Sequence, residues 1–107
     1  MATPLNMNLY GTDHQLYFYH TADKGLSLGL IEEEDGMLLP YMDVTLEGVG
    51  TCKPDEAFVK DYSENEGVGK WLVQNKIAEP TGEIYRTGYV TIEKYKFDLA
   101  ALQEHMI

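Results

Sequence analysis

The sequence predicts an α+β fold: a mostly antiparallel sheet of four to six strands, one helix packed on it, and a short helix at the C-terminus. Three observations carry this. Apolar and polar residues alternate through much of the first half, as half-buried strands require. Asp35-Gly36, between two such stretches, is a two-residue hairpin signal. After Ser63 the period becomes helical, with Val68, Trp71, Leu72 and Asn75 on one stripe. Residues 1–107, 44% hydrophobic, are expected to form one acidic domain around one core.

The first strand is expected at Leu5–Tyr10, ended by Gly11-Thr12-Asp13. Gln15–Thr21 follows, with Leu16, Phe18 and His20 on one face and Tyr17 and Tyr19 on the other. Asp23-Lys24-Gly25 supplies turn chemistry. Leu26, Leu28 and Leu30 share the next inward face, opposite Ser27 and Gly29. Beyond the hairpin, a return strand over Leu38–Leu46 places Met42, Val44 and Leu46 inward and Asp43, Thr45 and Glu47 outward. Pro40 has no N–H, which puts this strand at an edge or starts it after Pro40. Gly48–Pro54 reads as a loop and Ala57–Lys60 as a brief strand.

Ser63-Glu64-Asn65-Glu66 matches a capping box at the start of a helix running to about Lys76. Gly67 and Gly69 weaken that helix, but they let it lie close to the sheet. Pro80-Thr81-Gly82 reads as a turn, and Tyr89–Phe97 as the last strand. Its apolar parity changes from Val90 and Ile92 to Tyr95 and Phe97, which predicts a bulge near Glu93. Asp98 is the expected cap of a final helix with Leu99, Leu102 and Met106 on one face.

Charge is the most distinctive property. Eighteen Asp and Glu stand against eight Lys and Arg, a net charge of −10. Residues 1–52 hold eight acids and a single base, Lys24, and no Lys or Arg occurs between Lys24 and Lys53. Such a field repels nucleic acid and anionic membranes and attracts basic protein surfaces. The eight Tyr suit either a hydrogen-bonded core or a contact surface. Cys52 is the single cysteine, so no internal disulfide can form. No basic n-region and no long apolar run occurs near Met1, and a cytoplasmic location is expected.

Little catalytic chemistry is visible. His14, His20, His105 and Cys52 lack zinc spacing, and Glu32–Asp35 with Gly36 lacks the alternating acids of a calcium loop, so no metal or other cofactor is expected. Lys53 beside Cys52 could lower the thiol pKa, yet no base stands near it in sequence. Gly67-Val68-Gly69 lies in a helical pattern and not after a strand, unlike a phosphate loop. What remains is the acidic hairpin, where Glu32, Glu33, Glu34, Asp35, Asp43 and Glu47 fall on or beside two paired strands. It can be read as a carboxylate array that imitates phosphates and occupies a basic groove. On physical grounds alone the first reading of it is charge that protects an exposed sheet edge and keeps the chain dissolved.

Two stretches carry a family resemblance: Ala57-Phe58-Val59-Lys60-Asp61-Tyr62-Ser63-Glu64-Asn65-Glu66-Gly67, and Glu79-Pro80-Thr81-Gly82 followed by Thr87-Gly88-Tyr89-Val90 and Tyr95-Lys96-Phe97. With Leu9-Tyr10-Gly11 and Pro40-Tyr41, they resemble a family of small acidic bacterial proteins known only as a domain of unknown function, found in gut Firmicutes, phages and integrative conjugative elements. The resemblance implies no catalytic residues. It implies a mobile-element setting, in which small acidic proteins include inhibitors of host-defence nucleases, some acting as DNA mimics.

The expectation is therefore a non-enzymatic protein-binding module of a mobile element. It would inhibit a nucleic-acid-processing defence protein through the acidic face, binding a protein with a basic surface such as a nuclease, with no direct contact to nucleic acid or membrane. The alternatives are an adaptor module whose acidity serves solubility, and a small enzyme.

Overall fold

The computed structural model describes residues 2–22, 25–47, 49–50 and 52–107. Among these described residues, eight strands form two antiparallel four-stranded sheets. In the first sheet, β1 (Leu5–Leu9), β2 (Thr12–His20), β3 (Leu28–Glu34) and β4 (Met37–Asp43) lie side by side in chain order. The second sheet contains β5 (Thr45–Leu46), β6 (Glu56–Val59), β7 (Ala78–Thr87) and β8 (Val90–Phe97), in the order β5-β6-β8-β7. A short 3₁₀ turn (Ser63–Asn65) leads into α1 (Val68–Gln74), and α2 (Leu99–Gln103) closes the chain. The α+β class and the antiparallel pairing are those the sequence predicts.

Turn chemistry builds the first sheet. Tyr10 and Gly11 (φ 52° and 81°) and Asp35 and Gly36 (φ 51° and 78°) both take the left-handed conformation a two-residue hairpin needs. The first turn is thus Tyr10-Gly11, and Thr12 and Asp13 already belong to β2. The expected Asp23-Lys24-Gly25 turn falls on Asp23 and Lys24, which lie outside the described residues, as do Gly48 and Thr51 of the Gly48–Pro54 loop.

The return strand does not run unbroken to Leu46. It ends at Asp43 and changes sheets at Val44, whose N–H donates to the Leu28 carbonyl of β3 while its own carbonyl accepts from Lys60 beyond β6. The inversion of faces follows from this corner. Thr45 is buried, and its Oγ1 accepts from the Leu28 N–H at 2.9 Å, whereas Leu46 pairs with Phe58 and is only half-buried. As expected from Pro40, β4 is an edge strand.

The core joins both sheets and both helices: Leu16, Phe18, Leu28, Leu30, Val44, Leu72, Ile77 and Phe97 are almost wholly buried in it. His20 shares its parity with Leu16 and Phe18 but lies past the core and is exposed. The C-terminus takes up β2 where β1 stops. The Phe18 N–H donates to the His105 carbonyl, and the Ile107 N–H donates to the Phe18 carbonyl.

The helix is correctly placed but starts by a different device. Ser63 has a φ of 56° and makes no cap bond, so there is no capping box. Instead Asp61 Oδ1 accepts the Gly67 N–H at 2.6 Å, and Gly67, at φ 97°, turns the chain into α1. The helix ends at Gln74, short of Lys76. Val68, Trp71 and Leu72 are buried, with Asn75 half-buried beside them. Gly69 does permit close approach: a Cβ there would fall 2.7 Å from Asp61 Oδ2 and against the Tyr95 hydroxyl.

Pro80-Thr81-Gly82 is not a turn between elements. It lies within β7, where the register to β8 shifts between Pro80 and Ile84. The irregularity predicted near Glu93 therefore sits on the partner strand, and β8 pairs with β6 without a break from Glu93 to Lys96. Tyr95 and Phe97 face the core, while Ile92 and Lys94 are buried on the opposite face, so the parity change marks two covered faces. Asp98 caps α2 by accepting the Ala101 N–H at 3.1 Å. Leu102 is buried there, but Leu99 points outward with 47% exposure.

Candidate protein-binding face

Strand alternation decides where the six acidic residues go. Glu32 has Leu16 as its neighbour on β2, so it lies on the inward side of the first sheet. There His14 Nδ1–H donates to Glu32 Oε2 at 2.5 Å, and the His14 ring lies 4.9 Å from that of Tyr41. Burial, with Glu32 and Tyr10 nearby, raises the Tyr41 pKa above its ordinary value. Glu34 shares the parity of Glu32 and is exposed, and Asp35 sits in the turn. Glu33 and Asp43 face the other way, opposite Leu38 and Gly29 respectively. Glu47 follows β5 and belongs to the second sheet's side. The structure thus brings Glu33 and Asp43 onto one face and separates them from Glu32, Glu34 and Glu47.

That outward face carries more than charge. Tyr17 pairs with Ile31, and Tyr19 lies over Gly29, where a Cβ would meet its ring at 2.8 Å. Tyr17, Tyr19 and Ile31 are half-buried, and Leu38 is 47% exposed. A shallow hollow of about 480 Å³ opens among Tyr17, Glu33, Leu38, Met106 and Ile107. An apolar and aromatic centre with carboxylates at its rim is the composition of a protein contact surface. Sequence reading found Glu33 and Asp43 and the excess of Tyr separately. Cross-strand pairing, which local sequence does not show, is what joins them.

Other chemistry-bearing groups are tied up in structure. Lys94, 5% exposed, donates to Glu83 Oε2 at 2.5 Å, has Glu56 at 3.9 Å, and lies 5.5 Å from the centre of the Phe58 ring. The Glu83 hydrogen bond raises the Lys94 pKa and lowers that of Glu83. This group escaped sequence reading because a lysine in a strand pattern is taken as solvated. Cys52 does not gain thiolate character: burial pushes its thiol up, outweighing the pull of Lys94. No cluster of three or more His, Cys, Asp or Glu suited to a metal occurs among the described residues. Among them, no helix is long and apolar enough to cross a membrane.

A family model described as Domain of unknown function (DUF4313) matches residues 14–106. No curated protein and no solved structure matches the chain. The match spans most of the sequence, and the chain belongs to this family.

Proposed function

We propose that this member of the DUF4313 family is a non-enzymatic binding module whose outward face on the first sheet engages a basic surface of a protein partner. The observation that carries the reading is the convergence of Tyr17, Tyr19, Ile31 and Leu38 with Glu33 and Asp43 on one exposed face. Tyrosines bury a large area at small entropic cost, and rim carboxylates steer a basic partner into register. The net charge of −10 disfavours nucleic acid as the direct ligand. The mobile-element setting implied by the sequence resemblance makes a cytoplasmic nuclease or other nucleic-acid-processing defence protein the partner class to test first, with inhibition as its consequence.

The test compares charge reversals on the two sides of one hairpin. Wild type, a Glu33→Lys/Asp43→Lys variant and a Glu34→Lys control are immobilised in parallel and challenged with host lysate, and the retained protein is then titrated in purified form. The partner is expected to bind wild type and the Glu34→Lys control and to be lost by the double variant, with affinity falling as salt rises. Equal binding by a folded double variant overturns the reading. Loss on Tyr17→Ala without any salt dependence would favour an adaptor surface led by tyrosine.

A further inference from the structure

The second sheet holds a segment that no apolar contact secures. Pro80 pairs with Tyr95 and Ile84 with Glu93, so Thr81, Gly82 and Glu83 of β7 stand opposite Lys94 alone. All three are exposed, and β7 is an edge strand with no further strand outside it among the described residues. Gly82 takes the left-handed conformation, at φ 92°, with open space around the position of a Cβ. The polar contacts that close the segment all lead to Lys94. The Thr81 hydroxyl donates to the Lys94 carbonyl at 3.1 Å, and its oxygen accepts the Glu83 N–H at 3.1 Å. The Lys94 ammonium donates to Glu83 Oε2 at 2.5 Å.

What lies beneath is different in kind. Lys94 is the one buried Lys or Arg among the described residues. Its ammonium lies 5.5 Å from the centre of the Phe58 ring, and Cys52, Lys53 and Tyr85 line the same hollow of about 490 Å³. A buried ammonium requires a counter-charge. Two carboxylates supply it, and they are held differently. Glu56 stands 3.9 Å away on β6 with its side chain 12% exposed, whereas the Glu83 side chain is 65% exposed and belongs to the segment. Glu83 can therefore return to water while Glu56 stays beside the ammonium. Segments that bury little apolar surface and rest on exposed hydrogen bonds open at lower free energy than the fold as a whole.

We propose that residues 81–83 are a gate over this hollow, opening while both sheets stay paired and uncovering the Lys94 ammonium.

Amide exchange in ¹⁵N spectra and amine acetylation test this on the full chain. In wild type the Glu83 amide should be roughly tenfold or more less protected than the Val44 and Phe97 amides, which donate to the Leu28 and Asp55 carbonyls of other segments. Glu83→Gln keeps the side-chain shape but loses the charge that strengthens the bond to Lys94. Protection at position 83 should fall about tenfold further, with less than about a twofold change at Val44 and Phe97. Thr81→Val removes the hydroxyl without altering the charges around Lys94. Acetylation by an N-hydroxysuccinimide ester, read by mass spectrometry, should then reach Lys94 about threefold faster or more, relative to the exposed Lys96 of the same chain. Parallel loss of protection at Val44 and Phe97 would show that the segment opens only with the whole fold, and would overturn the proposal. Unchanged exchange at position 83 in Glu83→Gln, or unchanged Lys94 acetylation in Thr81→Val, would do the same. Should a variant not fold, the wild type decides, and equal protection at Glu83, Val44 and Phe97 overturns the gate.

Discussion

Replacing Trp71 by Ala tests the packing of α1 against the first sheet. Trp71 is 9% exposed, its ring centre lies 6.0 Å from that of Phe18, and its indole N–H holds the Asn6 carbonyl. Removing a buried aromatic of this kind costs about 3–5 kcal/mol in transfer and cavity terms, and the hydrogen bond adds about 1 kcal/mol. A domain of this size is stable by only about 5–15 kcal/mol, so Trp71→Ala should lower its melting temperature by roughly 15–25 °C or prevent folding. Trp71→Phe separates the two contributions. It keeps most of the ring contact and loses the donor, and should cost about 1–2 kcal/mol. Urea titration followed by far-UV circular dichroism gives both numbers without relying on tryptophan fluorescence. A Trp71→Ala change below about 1 kcal/mol would refute the reasoning, because it would mean that α1 does not anchor on β1 and Phe18.

Three further outcomes follow from particular contacts. Gly69→Ala should destabilise by about 1–3 kcal/mol despite the better helix propensity of Ala, since the added methyl meets Asp61 and Tyr95; a stabilised variant in thermal melts would count against that close approach. Asp61→Ala should cost about 1 kcal/mol by freeing the Gly67 N–H, whereas Ser63→Ala should stay within about 0.5 kcal/mol, and the reverse ranking in urea titrations would restore the capping box. The Lys60 ammonium holds the Glu64 carboxyl down at about 2, below its ordinary 4.5. A lowered folded-state pKa gives stability that is present above 4.5 and fades as pH falls toward 2, so Lys60→Met should return the Glu64 midpoint, read by NMR titration, toward 4.5.

What was legible in the sequence was local. Alternation located β2 and β3, Asp35-Gly36 fixed the hairpin partner of β3, and Asp98 marked the start of α2. What was not legible depended on neighbours remote in sequence. Nothing around Val44 shows that its N–H belongs to one sheet and its carbonyl to the other, so a corner read as a straight strand and Thr45 received the wrong face. Lys94 sits among Phe58, Glu56 and Glu83, from two other strands, and without them its burial has no local signal. The Ser63 motif was present in letters but not in conformation, because a residue at φ 56° cannot direct its hydroxyl as a cap does.

The same limit applies to the acidic hairpin, and it changes what binding through it would look like. Consecutive acids on a strand alternate faces, so Glu32, Glu33 and Glu34 cannot form one row of phosphate-like charges. Glu32 is further occupied by His14. The outward face is left with Glu33 and Asp43 at the rim of a tyrosine and aliphatic patch. A partner held there would owe most of its affinity to buried aromatic area and only part to charge, so its affinity should decline gently with salt. A true phosphate mimic with many engaged carboxylates would decline steeply. The salt slope therefore measures how many carboxylates the partner touches. A shallow slope agrees with the mixed face, and a steep one would require Glu34 and Asp35 at the hairpin tip to join the contact.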